Sequence, residues 1–434
     1  MKVFPIFAPF IRLVTKAFVM VSKTLIKKVI VDQQEIRPQM DVLRKIDDKW
    51  LSMKEIVVVS GVRRCGKSVL LQQFREKMVE RDYFFNFDDE RLINFSVDDF
   101  QILQECFIEL FGVQHTYYFD EIQNVVGWER FVRRLYDAGN KIFITGSNAN
   151  MLSRELGTHL TGRYIQVELY PFSFREYLSL IGYELDNRKM FSTVGHSELL
   201  AHFNTYMSDG GFPAYLQNKS MEYLSALYDS IIYRDVLQRN RLVSEREILE
   251  MMHYLASNAS KRHSYTSIGR IIGVKHPETV KNYLQCVEAT YLLFQIARYA
   301  PSLKTQSATP KKIYLIDNAI INKIGFNPTM NLGILLENIV FIELKRRGKN
   351  VFYYAENGEC DFVVRQGTTL TEAYQVTLEM DREETKNREI AGLLEVAKVH
   401  QTVNNILTLD EESELTIDGI QICVKPVWKW MLEE

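Results

Sequence analysis

Two short polar clusters hold the residue types that phosphate chemistry needs. The first is Gly61-Val62-Arg63-Arg64-Cys65-Gly66-Lys67-Ser68, with Val69 behind it. Its spacing, G-x-x-x-x-G-K-S, is that of a phosphate-binding loop. Gly61 and Gly66 let the backbone curl so that successive N–H groups face phosphate oxygens. A following helix adds partial positive charge at its N-terminus. Lys67 would reach the outer phosphates of ATP, and Ser68 would offer its hydroxyl to Mg²⁺. The second cluster is Asp120-Glu121, closing the run Thr116-Tyr117-Tyr118-Phe119. Asp120 suits the oxygen shell of a hard cation. Glu121 suits a base that orients and deprotonates an attacking water.

Two further candidates lie downstream. Ser147 and Asn148 end the run Lys141-Ile142-Phe143-Ile144-Thr145-Gly146. Polar side chains there can contact a γ-phosphate or the water beside it. The same residues also compose an ordinary turn. Arg163 opens a strand in Leu160-Thr161-Gly162-Arg163-Tyr164. It fits an arginine finger supplied to a neighbouring subunit, which would require a homo-oligomer. It equally fits a structural cation.

These groups act together only if strands and helices converge them. Ile56–Ser60 is β-branched and uncharged, as a buried parallel strand is. Leu70, Leu71, Phe74 and Met78 then recur at helical spacing. Strands are expected over 83–88, 116–121, 141–145 and 165–169, with helices over 99–111 and 128–137 between them. That alternation predicts an α/β fold, a parallel sheet with helices on both faces. Nucleotide would sit at the carboxyl ends of the strands, where the polar clusters fall. The amphipathic stretch Val29–Lys49 is expected to dock as a helix beside that pocket.

The chain has 434 residues, 53 Lys+Arg against 55 Asp+Glu, and a formal charge of −2, so no global basicity advertises nucleic acid. Five scattered cysteines without C-x-x-C spacing argue against disulfides or structural zinc, and for a reducing, cytoplasmic setting. Residues 3–21 are apolar but broken by Pro5, Pro9, Arg12 and Lys16, short of an uninterrupted membrane span. No convincing cleavage site follows. A dispensable extension without membrane insertion is expected, with a weakly amphipathic surface segment as the alternative.

The combination of Gly-Val-Arg-Arg-Cys-Gly-Lys-Ser, Tyr-Phe-Asp-Glu-Ile-Gln, Thr-Gly-Ser-Asn-Ala and Leu-Thr-Gly-Arg-Tyr resembles a family of prokaryotic AAA-type ATPases. The similarity continues through Glu168-Leu169-Tyr170-Pro171-Phe172-Ser173-Phe174-Arg175-Glu176-Tyr177, Gly210-Gly211-Phe212-Pro213 and Tyr233-Arg234-Asp235, and spans nearly the whole chain from about Lys27. It implies an AAA+-like ATPase module followed by a C-terminal domain whose role is largely uncharacterised. Gly210–Pro213 resembles an element that approaches nucleotide in related signal-transducing ATPases, which makes Pro213 a candidate contact. A glycine pair before proline is otherwise a helix-breaking turn. Arg234 is a candidate nucleotide sensor in a helical lid.

Beyond the lid, Ser244-Glu245-Arg246-Glu247 has a capping-box pattern and opens a helix. Two more helices and a hairpin complete a winged-helix pattern. His276, Thr279, Lys281 and Asn282 are its candidates for DNA contact, and pure packing is the alternative. Glu343, Asp361 and Gln375-Val376-Thr377 resemble a restriction-endonuclease-type fold. An active centre of that type needs an acid-x-Lys pair to hold Mg²⁺ and activate water. Gln375 and Thr377 occupy those places, so an inactive domain is expected, with Glu337 and Glu343 on a solvated helix face.

The expected boundaries are an extension at 1–26, ATPase core 27–169, helical lid 170–243, winged helix 244–318 and nuclease-like domain 319–434. The expected function is Mg²⁺-dependent hydrolysis of ATP to ADP and phosphate, coupled to movement of the C-terminal domains. The alternative is a nucleotide-gated DNA-binding or signalling protein with slow hydrolysis.

Overall fold

A computed structural model describes residues 21–36, 40–147, 157, 160–326, 331–356 and 358–433. Five strands form the first sheet: β1 (Ile56–Ser60), β2 (Tyr83–Asn86), β3 (Thr116–Asp120), β4 (Lys141–Gly146) and β5 (Tyr164–Glu168). Their order is β2-β3-β4-β1-β5 and every pairing is parallel. Helices Lys67–Lys77, Phe100–Phe111 and Trp128–Asp137 lie between consecutive strands in the chain. β1 and β3 are buried at every position, as strands covered on both faces must be. Alternate residues feed opposite layers. Val57 and Val59 pack with Leu70, Leu71 and Phe74, whereas Ile56 and Val58 face the layer of Phe107, Trp128 and Leu135. The expected α/β core is therefore present.

The N-terminal helix differs from expectation. It spans Lys23–Glu35 and packs on helix Phe100–Phe111 and edge strand β2. Its buried residues Ile26, Val29 and Ile30 occupy one face. Val21 is already buried and donates its N–H to Asp99, ahead of the boundary expected at residue 27. Among the described residues of 29–49, only the non-helical Asp41, Val42 and Arg44 line the pocket.

Past β5, helix Phe174–Leu180 starts with a reciprocal capping box between Ser173 and Glu176. Helix Met221–Ser230 continues as a π-helix over Ile231–Gln238. Three helices follow, Glu245–Ser257, Tyr265–Ile272 and Pro277–Glu288. They accompany an antiparallel sheet of β6 (Arg262–His263), β7 (Leu293–Ile296) and β8 (Lys311–Leu315), ordered β6-β8-β7.

The last sheet has six strands: β9 (Val351–Ala355), β10 (Glu359–Gln366), β11 (Thr369–Val376), β12 (Val403–Thr408), β13 (Ser413–Ile417) and β14 (Ile420–Pro426), ordered β13-β14-β12-β11-β10-β9. The β11–β12 and β12–β14 pairings are parallel and the others antiparallel. Helix Leu332–Arg346 packs on the face carrying Phe362 and Tyr374, and helix Glu383–Ala397 on the face carrying Val363 and Ala373. One apolar core runs unbroken from Phe174 and Phe203 of the helices after β5 through Leu255 and Leu284 to Phe341 and Trp428. Among the described residues no helix is long and apolar enough to cross a membrane, and all five cysteines are free.

Candidate nucleotide-binding site

The loop after β1 is shaped by contacts at its base. Gly61 has φ +156°, and a Cβ there would lie 2.2 Å from the Leu169 carbonyl oxygen. The Leu169 N–H donates to Ser60 O at 2.7 Å, so the chain leaving β5 closes against the loop. Gly66 has φ +103° and precedes the helix without a side-chain cap. The first-turn N–H groups are thus left for an anion. Lys67 is buried, and its Nζ donates to the carbonyls of Gly61 (3.2 Å) and Val62 (3.1 Å). Val62 and Cys65 turn inward and are fully buried behind the loop, and burial pushes the Cys65 thiol up.

Asp120 and Glu121 stand across from the loop because β3 lies two strands from β1, with β4 between. Thr145 of β4 links them: its hydroxyl donates to Asp120 and accepts from the Glu121 N–H at 3.0 Å. Burial raises the Asp120 carboxyl to about 6, reinforced by the Glu121 charge and opposed by hydrogen bonds from Thr145 and Ser68 and by the Lys67 charge. Ser68 and Asp120, the two expected Mg²⁺ ligands, are therefore in contact. Glu121 lies 3.7 Å from Lys67 Nζ and accepts a hydrogen bond from Gln123 Nε2. Ser147 is buried at the end of β4, and its hydroxyl has no hydrogen-bond partner. Asn148 lies outside the described residues.

A cavity of about 420 Å³ opens over these groups. Arg63, Arg64, Gly66, Lys67, Ser68, Val69, Asp120 and Glu121 line it. Val42, Phe172, Leu180, Pro213 and Tyr223 supply apolar surface, suited to a flat base. Pro213 thus stands at the same cavity as Lys67.

Arg44 also lines the cavity. Its guanidinium donates to Cys65 O at 2.7 Å, pairs with Glu176 at 2.8 Å and lies 4.5 Å over the Phe172 ring. No sequence spacing marked Arg44. A signal for Thr145 did exist, since it is a hydroxyl residue inside an otherwise apolar strand.

Arg163 is not brought to this cavity. It precedes β5, at the amino end of the sheet, where its carbonyl accepts from Ile56 N–H and its Nε bonds Asp137 at 3.2 Å. Arg234 pairs with Asp88, a cavity-lining residue, at 2.6 Å. His276 and Asn282, proposed for DNA contact, are exposed, while Thr279 and Lys281 are half-buried.

The C-terminal cluster departs from expectation. Lys312 of β8 is buried and lies 2.9 Å from Asp361, 3.2 Å from Glu337 and 3.4 Å from Glu359. Glu337 is raised to about 7, because burial and the Asp361 charge outweigh Lys312 and the Tyr314 hydroxyl. Glu343 is buried against Arg346 and Arg347, so neither glutamate belongs to a solvated face. Gln375 binds the Asp361 backbone N–H at 2.6 Å and donates to Glu389. Thr377 bonds Glu379 O and contributes no cation. Among the described residues, no group of three or more His, Cys, Asp or Glu is arranged to hold a metal ion.

An AAA domain is recognised over residues 53–178, and a domain of unknown function, DUF8612, over residues 200–330. The chain is 34% identical over 432 residues to the uncharacterized protein MJ1544 of Methanocaldococcus jannaschii, covering 95% of this chain and 96% of that one. It is 30% identical over 397 residues to an uncharacterized protein of Haemophilus influenzae, covering 87% and 94%. Among solved structures it is similar to the Aeropyrum pernix ORC1 protein in complex with DNA, at TM-score 0.29, 8% identity and coverage of 70% and 90%. It is also similar to the Thermotoga maritima RuvB Holliday junction branch migration motor, at TM-score 0.28, 13% identity and coverage of 56% and 82%. Superpositions that loose carry no inference about this chain. The two near-full-length relatives do: the chain belongs to their archaeal and bacterial family, built on an AAA-type P-loop domain.

Proposed function

We propose that the protein binds ATP with Mg²⁺ in this cavity and hydrolyses it to ADP and phosphate. One observation carries the reading: Lys67, Ser68, Asp120 and Glu121 converge on a single cavity, with Lys67 and Asp120 buried, and Val42, Phe172, Leu180, Pro213 and Tyr223 line the same cavity. The backbone from Gly61 to Val69 would cradle the phosphates, and Lys67 would exchange its two carbonyl partners for phosphate oxygens. The Ser68 hydroxyl and the Asp120 carboxylate, already in contact, form an all-oxygen donor pair that fits Mg²⁺. Bound there, Mg²⁺ neutralises charge on the phosphates. Glu121 takes a proton from water as the water oxygen bonds to the γ-phosphorus and the bond to the bridging oxygen breaks, leaving ADP. The unpaired Ser147 hydroxyl is the group for the γ-phosphate side. Pro213 and Tyr223 would flank the base.

The coupling part of the reading rests on the shared core between lid and C-terminal half. It treats residues 244–318 as a winged helix and 319–434 as a nuclease-like fold without cleavage activity, its metal position filled by the Lys312 ammonium. A homo-oligomer would let Arg163 serve a neighbouring copy. The second reading, nucleotide-gated DNA binding, is favoured by His276 and Asn282 standing exposed at and on helix Pro277–Glu288.

Phosphate release by the purified chain tests the first reading. Lys67→Ala should abolish ATP binding or turnover, and Glu121→Gln should retain binding while turnover stops. Activity unchanged in both would overturn it. A salt-titrated DNA shift assay with and without ATP tests the second; no binding at low salt removes DNA as a partner.

A further inference from the structure

Glu121 is held by one side chain that the catalytic scheme leaves unused. Its φ is +51°, in the left-handed region, so the backbone turns sharply as it leaves β3. One oxygen of its carboxylate accepts from Gln123 Nε2, and the other faces Lys67 Nζ at 3.7 Å. Gln123 is 4% exposed, which leaves its amide little freedom to swing. The amide orientation follows from its partner, since reversal would set a carbonyl oxygen against a carboxylate. Its own Oε1 is buried without a hydrogen-bond partner. Buried polar atoms are normally satisfied, because an orphaned acceptor is costly. A glutamine kept only for packing would not carry that cost while spending its amide N–H on Glu121.

We propose that Gln123 is a positioning residue for the water-activating carboxylate of Glu121, an inference that rests on the hydrolysis reading above. Gln123 secures one oxygen, so the other is the acceptor left facing the phosphate loop. Once phosphates draw Lys67 away, that oxygen is free to take the proton of water. A carboxylate held by one bond at the correct angle needs no reorganisation at the moment of transfer. Removing the bond should therefore slow the chemical step and leave nucleotide affinity alone.

The test is a kinetic cycle on the full-length protein with MgATP. Gln123→Met keeps the side-chain length and removes the amide. It should lower kcat on the order of tenfold or more while KM and the affinity for a fluorescent ATP analogue stay within about threefold. In a Glu121→Gln background, which has no turnover, Gln123→Met should leave the affinity for the fluorescent ATP analogue unchanged. Gln123→Glu, which is isosteric but sets a second carboxylate against the first, should lower kcat at least as far. Wild-type kcat in Gln123→Met, a loss confined to KM, or a loss of analogue affinity on adding Gln123→Met to Glu121→Gln would each overturn the proposal. So would failure of both Gln123 variants to fold, which would make the residue structural. Wild-type protein that binds ATP without turning it over would overturn the hydrolysis reading itself, an outcome distinct from active wild type with unaffected variants.

Discussion

Arg63 of the loop after β1 and Asp235 of the π-helical stretch Ile231–Gln238 form a two-bond ion pair, Nε to Oδ2 at 2.9 Å and Nη2 to Oδ1 at 3.1 Å. Asp235 is 1% exposed and also lies 3.5 Å from Arg239. The pair joins the loop to the π-helical stretch Ile231–Gln238. π-turns are rare and concentrate at functional positions. The nucleotide loop is thus tied directly to the helix that leads into the C-terminal half.

Asp235→Ala should destabilise the protein by about 3 kcal/mol, since removing one partner strands the other's charge in a largely buried place. The bidentate geometry makes Asp235→Glu an incomplete replacement. Urea unfolding checks the stability, and nucleotide titration checks whether the loop loses affinity along with its anchor. Unchanged values in both would remove Asp235 as the anchor.

Gly61→Ala should abolish tight nucleotide binding. The added Cβ would fall 2.2 Å from the Leu169 carbonyl, a backbone atom that cannot yield without parting β5 from the loop. A loss of at least about tenfold in affinity for a fluorescent ATP analogue is expected, equivalent to about 1.4 kcal/mol.

Asp317 makes stability pH-dependent. Its carboxylate accepts from Gly211 N–H at 2.7 Å and Ala319 N–H at 2.9 Å, which locks the Gly210–Pro213 element onto helix Asn318–Ile324. Burial raises the carboxyl to about 7 despite those two donors. The folded state therefore keeps a proton that the unfolded chain releases near the usual carboxylate range of about 4. Stability from this group is fully present below about pH 4 and is lost as pH rises through about 7, by at most about 1.4 kcal/mol per pH unit. Asp317→Asn should flatten that part of the profile, as measured by thermal unfolding between pH 4 and 8. Parallel profiles would refute the assignment.

Lys312 should act as a bolt between two sheets. Lys312→Ala leaves Asp361 and Glu337 facing each other without their cation, and a loss of about 3–5 kcal/mol is expected. Adding Asp361→Asn should recover part of the loss, because one buried charge is removed with its partner. Denaturant titration of the single and double variants reads this directly. No recovery in the double variant would count against charge pairing as the cause.

The ATPase-type core was largely legible because its signals are local. Gly61 to Ser68 must be contiguous for one loop to curl round a phosphate. Asp120-Glu121 must end a strand, and alternating apolar strands and amphipathic helices admit few topologies. The C-terminal region was legible only in part: β9 to β11 were expected, but β12 to β14 were not. Those last strands carry mixed polar sequences such as Val403-Asn404-Asn405 and Ser413-Glu414, whose strand character comes from their sheet neighbours.

What the sequence alone determined is the chemistry available at the phosphate end of the site and the class of fold that presents it. The tertiary structure decided which distant residues complete that site. Thr145 meets Asp120 because β4 lies beside β3. Arg63 meets Asp235 across 172 positions, and Lys312 enters a carboxylate cluster from another sheet. It also sent helix Lys23–Glu35 to the β2 edge and left Arg44 to shape the pocket. Such pairings depend on strand order, register and burial, which put far-separated residues a few ångströms apart. Local spacing does not encode them.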